Sequence, residues 1–260
     1  MTGSIEHGRD AAGASNPWRT ALPWCLAHRG AAGEALENTL AAFAHGKAAG
    51  ADMLEFDARL SADGQAVVSH DPTLARTHGV DVAVAEHTAR ELAAYDVPTV
   101  AEALAACDPL PVTLELKVGE PLGSLIAQLI SDAGYADRII VAGRRADALQ
   151  AVRQRLPATA TSLAEDEPEL QATVVAALSG EEGPPLPPQV RALQLPVAWQ
   201  GVELAVEPVI ARAHALDLAF HVWTVNEPDA LHAMLDRGVD GIVTDHPSRL
   251  RRIIDERAQG

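Results

Sequence analysis

The stretch that decides the fold is Met53-Leu54-Glu55-Phe56-Asp57-Ala58-Arg59-Leu60, a largely apolar run that carboxylates interrupt. Glu55 and Asp57 are two positions apart, so in a β-strand both side chains point to the same face. A carboxylate pressed against a layer of apolar helices is costly unless it is paired. If this strand belongs to a barrel, its charged face therefore points into the lumen near the open end.

Strand-like and helix-like segments alternate on both sides of this strand. Before it, Trp24–His28 predicts a strand and Asn38–Ala49 a helix; after it, Asp63-Gly64 predicts a turn and Ala66–His70 a returning strand. Strands that alternate with helices are typical of a parallel sheet. Eight such units favour an α/β protein with a single-domain (β/α)₈ TIM barrel and a small β-hairpin after strand 2. The other predicted strands are Pro111–Val118, Arg138–Ala142, Ala158–Leu163, Arg191–Leu195, Ala219–Val225 and Gly241–Thr244, and the other predicted helices are Thr99–Ala106, Ser124–Ala133, Ala146–Leu156, Pro168–Leu178, Glu207–Ala215, Glu227–Arg237 and Ser248–Glu256.

The domain organisation follows from the length and the position of these segments. The chain has 260 residues, a length at which an α/β barrel often forms one domain. We predict a barrel domain over residues 21–260 and a flexible N-terminal arm over residues 1–20. The arm lacks the apolar segment of a secretory signal, and no apolar run is long enough to cross a bilayer. These features predict a cytoplasmic protein without stable membrane insertion.

The charge of the chain excludes some classes of partner. There are 36 acidic residues and 20 Lys and Arg, which gives a formal net charge of -16. Nucleic acids and anionic membranes bind basic surfaces, so we expect neither as the main partner. Dinucleotide and P-loop motifs do not occur in the sequence. A small-molecule ligand is the expected partner, and the sequence gives no indication of the oligomeric state.

Carboxylates recur at the ends of neighbouring predicted strands, where barrel enzymes place their catalytic groups. Glu115 and Lys117 follow the same spacing on the third main strand as Glu55 and Asp57 on the second. Three carboxylates so close together repel one another unless a cation lies between them. Oxygen ligands suit Mg²⁺, Ca²⁺ or Mn²⁺ and do not suit zinc. The alternative is that these acids only form structural salt bridges with Arg29 and Lys117.

Two histidines also lie at strand ends beside this group. His28 ends the first predicted strand and His70 ends the hairpin return. A lone histidine is more often a structural residue, and we interpret His221 in that way. Two histidines that flank a carboxylate cluster instead indicate a general acid–base pair. A zinc hydrolase would require histidine pairs such as His-x-His, which are not present.

Several short blocks in this order and spacing resemble the glycerophosphodiester phosphodiesterase family. Each block is weak alone, but together they cover about residues 23–255, and they lie at predicted strand ends. The blocks are His28-Arg29-Gly30, Glu37-Asn38-Thr39, Glu55-Phe56-Asp57, His70-Asp71, Leu114-Glu115-Leu116-Lys117, Trp223-Thr224-Val225-Asn226 and Gly238-Val239-Asp240-Gly241-Ile242-Val243-Thr244-Asp245.

The resemblance implies a specific set of site residues. It implies one divalent metal ion, Mg²⁺ or Ca²⁺ with Mn²⁺ as a further candidate, as the cofactor. It implies that Glu55, Asp57 and Glu115 bind this ion, and that His28 and His70 act as acid and base. In its mechanism we expect His28 to be the base and His70 the acid. The substrate-binding residues that it implies are Arg29, Lys117, Trp223 and Glu37.

The predicted function is metal-dependent hydrolysis of glycerophosphodiesters to glycerol 3-phosphate and an alcohol. One alternative is a lysophospholipase D, which would need an apolar groove from Trp199, Trp223 and the loop Pro184–Pro188. Another is a catalytically inactive barrel that binds a phosphorylated ligand, although such a protein is expected to have lost a ligand or a catalytic histidine.

The sequence departs from the family at two places. The segment between His70 and the helix that Pro98 opens is shorter than in many members, which predicts a small cap over the site. Ala142-Gly143 replaces the polar–aromatic pair that many members carry after the fourth strand. Both departures predict a more open pocket.

Overall fold

The computed structural model describes residues 16–259, which form a barrel of parallel strands surrounded by helices. The strands are β1 (Trp24–Ala27), β2 (Met53–Leu60), β3 (Ala66–Val68), β4 (Val112–Leu116), β5 (Ile139–Gly143), β6 (Ala160–Thr161), β7 (Ala192–Pro196), β8 (Ala198–Trp199), β9 (Val202–Glu203), β10 (Ala219–Trp223) and β11 (Gly241–Thr244). The helices are α1 (Leu40–Ala48), α2 (Ala75–His78), α3 (Ala89–Leu92), α4 (Val100–Cys107), α5 (Leu122–Ala133), α6 (Ala146–Arg155), α7 (Pro168–Ser179), α8 (Glu207–Ala215), α9 (Pro228–Asp236) and α10 (Pro247–Gln259).

Eight of the strands form the barrel wall in the order β6-β5-β4-β2-β1-β11-β10-β7. The ring closes where Thr161 of β6 forms a parallel bridge with Val190, just before β7. Thr161 N donates to the Gln189 carbonyl at 2.8 Å, and Arg191 N donates to the Thr161 carbonyl at 3.0 Å. The predicted (β/α)₈ TIM barrel is confirmed.

Most predicted elements lie within two residues of the observed ones, and the differences concern short segments. β6 has two residues instead of the six predicted for Ala158–Leu163. The hairpin of β8 and β9 and the four-residue helices α2 and α3 are additional elements. Such segments are too short to show the apolar period of a strand or helix. None of the described helices is both long and apolar enough to span a membrane.

The apolar core has an inner part in the lumen and an outer part under the helices. Leu26, Met53 and Ile140 pack together in the lumen. Leu54 and Phe56, which alternate with Met53 along β2, pack instead between the strands and the helices. This alternation directs every second side chain of β2 into the lumen, Glu55 and Asp57 among them.

The predicted N-terminal arm is only partly within the described residues, because residues 1–15 lie outside them. In the described part, Asn16 and Trp18 are buried. Asn16 Nδ2 donates at 2.7 Å to the carbonyls of Arg191 and Asp217. Trp18 packs in the lumen, with its ring edge-on to Trp24 at 6.0 Å. The packed domain therefore begins no later than Asn16, not at residue 21.

The β2–β3 hairpin positions one of the predicted histidines. β3 pairs antiparallel with the end of β2, as predicted, through a turn at Ser61–Gly64. Gly64 has a φ of 74°, which glycine adopts readily. Ser69 N then donates to the Asp57 carbonyl at 3.1 Å, which places His70 at the carboxyl end of β2.

Candidate active site

Three carboxylates converge in the lumen at the carboxyl ends of β2 and β4. Asp57 and Glu115 are direct neighbours across the two strands, and Glu55 precedes Asp57 on the same face. Each of the three offers an oxygen that lies within 4.8 Å of the others. Glu55 and Asp57 are 5% and 1% exposed. The structure therefore brings together the three residues that the sequence suggests as metal ligands.

These carboxylates have cationic neighbours, but too few to balance their charge. Lys117 Nζ lies 2.9 Å from Asp57 Oδ1 and 2.7 Å from Glu115 Oε1. Arg29 Nε lies 3.5 Å from Asp57 Oδ2. Glu55 accepts a 2.8 Å hydrogen bond from the backbone N–H of Arg29, and no Lys or Arg side chain pairs with it among the described residues. The structural salt bridges with Arg29 and Lys117, which are the alternative to a metal site, are thus present. They leave Glu55 without a Lys or Arg partner among the described residues.

The pKa values reflect this excess of negative charge. Burial, reinforced by the charge of Asp57, raises the pKa of Glu55 to about 7. Burial also raises the pKa of Glu115. For Asp57, burial acts in the same direction, but Lys117 and Arg29 lower its pKa below the ordinary value.

The donor set fits a divalent cation. A cation among these oxygens would offset the burial and the repulsion that together suppress the ionisation of Glu55. Three carboxylates suit Mg²⁺, Ca²⁺ or Mn²⁺ better than zinc, which prefers nitrogen and sulfur. The cluster of Glu55, Asp57 and Glu115 is therefore a candidate metal site.

His28 follows β1 and is held by a carboxylate from the opposite end of the chain. Its Nδ1 donates to Asp245 Oδ1 at 2.6 Å, and Asp245 Oδ2 accepts from Asn226 Nδ2 at 2.6 Å. Its Nε2 lies 3.9 Å from Glu55 Oε2. Burial alone would lower the pKa of His28, but the Asp245 hydrogen bond and the Glu55 charge raise it above the ordinary value.

His70 is held in a similar way by its sequence neighbour. Its Nδ1 donates to Asp71 Oδ1 at 2.7 Å, and Arg76 Nε donates to Asp71 Oδ2 at 2.6 Å. The backbone carbonyl of His70 accepts from Arg59 Nε at 2.9 Å. Burial lowers the pKa of His70 even though Asp57 acts to raise it. A carboxylate only accepts hydrogen bonds, so in both pairs Nδ1 carries the proton and Nε2 is free when the ring is neutral.

The loop after β1 holds the predicted anion-binding arginine. Arg29 has a left-handed backbone (φ 50°), and its Nη1 donates to Glu37 Oε1 at 2.8 Å. Asn38 Nδ2 donates to Asp57 Oδ2 at 2.8 Å. Arg76 also donates to both oxygens of Glu37, at 2.7 and 2.6 Å. Glu37 therefore lies in the site as an anchor for two arginines, while its predicted contact with substrate stays a prediction.

Trp223 ends β10 and is partly buried against the lumen cluster. It thus lines the lumen on the wall that β10 and β11 form. Sequence reasoning gave no role to Asp245, Asn226, Asp71 or Arg76, although the first three stand in the quoted blocks. The signal for these three is a polar side chain directly after a predicted strand or beside a candidate histidine, whereas Arg76 carries no such signal.

Fold and site together define a barrel with a candidate divalent-metal centre and two carboxylate-supported histidines at its mouth. The chain belongs to the glycerophosphoryl diester phosphodiesterase family, whose model matches residues 28–249.

Known relatives and solved structures agree with this membership. The chain is 28% identical over 247 residues to "Probable glycerophosphodiester phosphodiesterase 2" of Mycobacterium tuberculosis, covering 90% of this chain and 91% of that protein. It is 25% identical over 281 residues to a lysophospholipase D of Rattus norvegicus, covering 88% and 85%. The crystal structure of a glycerophosphodiester phosphodiesterase from Thermotoga maritima matches with a TM-score of 0.68 and 26% identity, covering 88% and 96%.

Proposed function

We propose that the protein hydrolyses glycerophosphodiesters to glycerol 3-phosphate and an alcohol, with a divalent cation bound by Glu55, Asp57 and Glu115. The observation that carries the proposal is the convergence of these three carboxylates within 4.8 Å of one another. Family membership supports the substrate class, since the matching model describes phosphodiesterases of glycerophosphoryl diesters.

Arg29 and Lys117 are the proposed phosphate-binding residues. The cation, when bound, would withdraw charge from a non-bridging phosphate oxygen. Arg29 and Lys117 would neutralise the charge on the other oxygens as it develops in the transition state. Burial acts to lower the pKa of Lys117, but Asp57 and Glu115 raise it, so its ammonium group stays charged.

His28 and His70 are the proposed acid–base pair. His28, with Nδ1 committed to Asp245, presents a free Nε2 that accepts the proton of the nucleophile. His70, protonated at Nε2 before the reaction, donates that proton to the leaving oxygen as its bond to phosphorus breaks, because an alcohol is a poor leaving group as its anion. The pKa directions of the two rings favour the reverse order. However, the Glu55 charge that contributes to the raised pKa of His28 is largely neutralised once that carboxylate holds a cation.

A change of leaving group tests the order of the two histidines. A p-nitrophenyl phosphodiester releases a stabilised phenolate that needs no proton. His70→Ala should therefore be severely impaired on glycerophosphocholine but regain much of its activity on this diester, whereas His28→Ala should be impaired on both. Recovery by His28→Ala instead would reverse the assignment, and near-normal turnover by both variants would exclude the pair.

Metal dependence is tested on protein stripped with EDTA. We expect release of glycerol 3-phosphate from glycerophosphocholine to return when Mg²⁺, Ca²⁺ or Mn²⁺ is added. Glu55→Gln should abolish this recovery. Glu102→Gln is the matched control, because Glu102 lies outside the site in the capping box of α4, where Gln can replace it. Full activity without metal, or in Glu55→Gln, would contradict the proposal.

A lysophospholipase D activity is the second candidate. The rat relative is named for this activity, and the β8–β9 hairpin that follows β7 carries Trp199 and Val202, 58% and 49% exposed, as cross-strand neighbours. Such a hairpin offers apolar surface to an acyl chain. Trp199→Ala should then reduce turnover of lysophosphatidylcholine more than that of glycerophosphocholine. Turnover of either compound excludes the inactive, ligand-binding barrel.

A further inference from the structure

Arg59 differs from the other cations at the mouth of the barrel. Arg29, Arg76, Lys117, Arg144 and Arg145 each have a carboxylate oxygen within 4.0 Å. Arg59 forms no such ion pair with any residue from 16 to 259. In a chain with 36 acidic and 20 basic residues, an arginine without an acidic partner in the middle of an acidic site requires an explanation.

The position of Arg59 places it beside the reacting groups. It follows Glu55 and Asp57 on the same face of β2, one step nearer the carboxyl end. Its Nε donates to the His70 carbonyl at 2.9 Å, which fixes the guanidinium next to that histidine. Its two Nη atoms form no hydrogen bond within the described residues, and they are open to solvent.

A second arginine lies in a neighbouring loop at the same end of the barrel. Arg144 begins the loop after β5, and its backbone N–H donates to the Leu116 carbonyl at 3.1 Å, next to Lys117. The guanidinium of Arg144 is already paired with Glu165 at 3.0 Å, so Arg59 is the cation that is left open to a ligand at this end of the barrel.

We propose that Arg59 forms an anion subsite for a negatively charged group on the alcohol of the diester. This inference rests on the proposed function, and it specifies the substrate class. The planar guanidinium fork binds carboxylates and phosphates through paired hydrogen bonds. Because His70 serves the leaving alkoxide, the alcohol lies on the side of the site where Arg59 presents its free nitrogens.

A matched pair of substrates tests the subsite. Glycerophosphoserine differs from glycerophosphoethanolamine by one carboxylate. With Mg²⁺ present, we expect kcat/KM to favour glycerophosphoserine by roughly tenfold or more, the scale of a charge-assisted hydrogen bond. Arg59→Gln should bring this ratio close to one. Arg59→Lys should give an intermediate ratio, because it keeps the charge but loses the fork.

Arg145→Gln is the control for general electrostatic effects. Arg145 adjoins Arg144 in the same loop but is paired with Asp166 at 3.1 Å, so its loss should leave the ratio unchanged. A second pair, glycerophosphoinositol with and without a phosphate on the ring, distinguishes the two sources of anion. A preference confined to the first pair identifies the group as a carboxylate, and a preference confined to the second pair identifies it as a phosphate.

The outcomes separate this inference from the proposed function. If all four diesters were turned over and kcat/KM were equal within each pair, the subsite alone would be overturned. A preference for the anionic diester that Arg59→Gln leaves unchanged would have the same consequence. No turnover of any diester by the wild type would overturn the proposed function. If a variant or the wild type is inactive, calorimetry measures the affinities for the same pairs of diesters. The ratio of the two affinities within each pair then decides whether the subsite exists.

Discussion

Replacing Asp245 by Asn tests whether the carboxylate behind His28 sets the state of its ring. In the wild type, Asp245 Oδ2 accepts from Asn226 and Oδ1 accepts from His28 Nδ1. An asparagine that still accepts from Asn226 turns its NH₂ group toward His28. His28 Nδ1 must then accept, so the proton moves to Nε2 and the ring can no longer take a proton there.

The expected loss of turnover follows from two contributions. The 2.6 Å hydrogen bond to a carboxylate is of a kind that contributes about 1.5–3 kcal/mol, or roughly 10–150-fold in rate. The misplaced proton removes the proposed general base itself, and such a base is worth about 10²–10⁴-fold. The two contributions overlap because the hydrogen bond acts through the same ring, so we expect kcat to fall by roughly 10²–10⁴-fold in Asp245→Asn. KM should change little, because Asp245 faces His28 and not the phosphate-binding groups.

The assay is the initial rate of glycerol 3-phosphate release at saturating Mg²⁺, with the tautomer of His28 followed by ¹⁵N NMR. Asp240→Asn is the matched control, because Asp240 also accepts from a histidine, His214 Nε2 at 2.8 Å, but precedes β11 at the amino end of the barrel. The control should keep its kcat. A kcat for Asp245→Asn close to that of the wild type, with the Nε2-protonated ring observed, would refute the reasoning.

Three further predictions concern stability and metal binding. Arg153 is buried in an ion pair with Glu167 and donates to Thr161 Oγ1 at 3.0 Å, so Arg153→Met should lower the free energy of unfolding in urea by roughly 3–5 kcal/mol. The exposed Arg155→Met on the same helix should change it by less than about 0.5 kcal/mol. Burial lowers the pKa of His221 from 6.5 to about 4. Between these two pH values only the unfolded chain binds the proton, so the free energy of unfolding should fall by about 1.4 kcal/mol for each pH unit of acidification. If His221→Gln left this pH dependence unchanged, the prediction would be contradicted. Mg²⁺ at about 100-fold over its Kd should stabilise the wild type by about 2.7 kcal/mol against urea, but not Glu55→Gln, and equal shifts would exclude Glu55 as a ligand.

The sequence predicts the barrel and the carboxylate cluster well because both depend on local spacing. Glu55 and Asp57 interrupt a long apolar strand, and Glu115 repeats the pattern on the next one. Strand alternation then fixes the face to which they point. The apolar patterns of strands and helices likewise predict the bounds of β2, α8 and β11 correctly.

Other parts of the site depend on contacts that no local pattern encodes. Asp245 reaches His28 only because closure of the ring makes β1 and β11 neighbours. Arg76 belongs to a four-residue helix, too short for a periodic signal, and yet it connects Glu37 to Asp71. The β8–β9 hairpin turns at Gln200-Gly201, where both residues have positive φ, without the Asn-Gly signal that usually marks such turns.

The burial of Trp18 has a consequence for shortened forms of the protein. A recombinant version that started at residue 21 would lose an indole that packs among Leu26, Met53 and Val243. Water would then enter the lower end of the lumen, beneath the layer on which the candidate metal-binding carboxylates rest. Trimming these few residues should therefore lower the melting temperature and loosen the metal site from below, although no residue of the mouth has been changed.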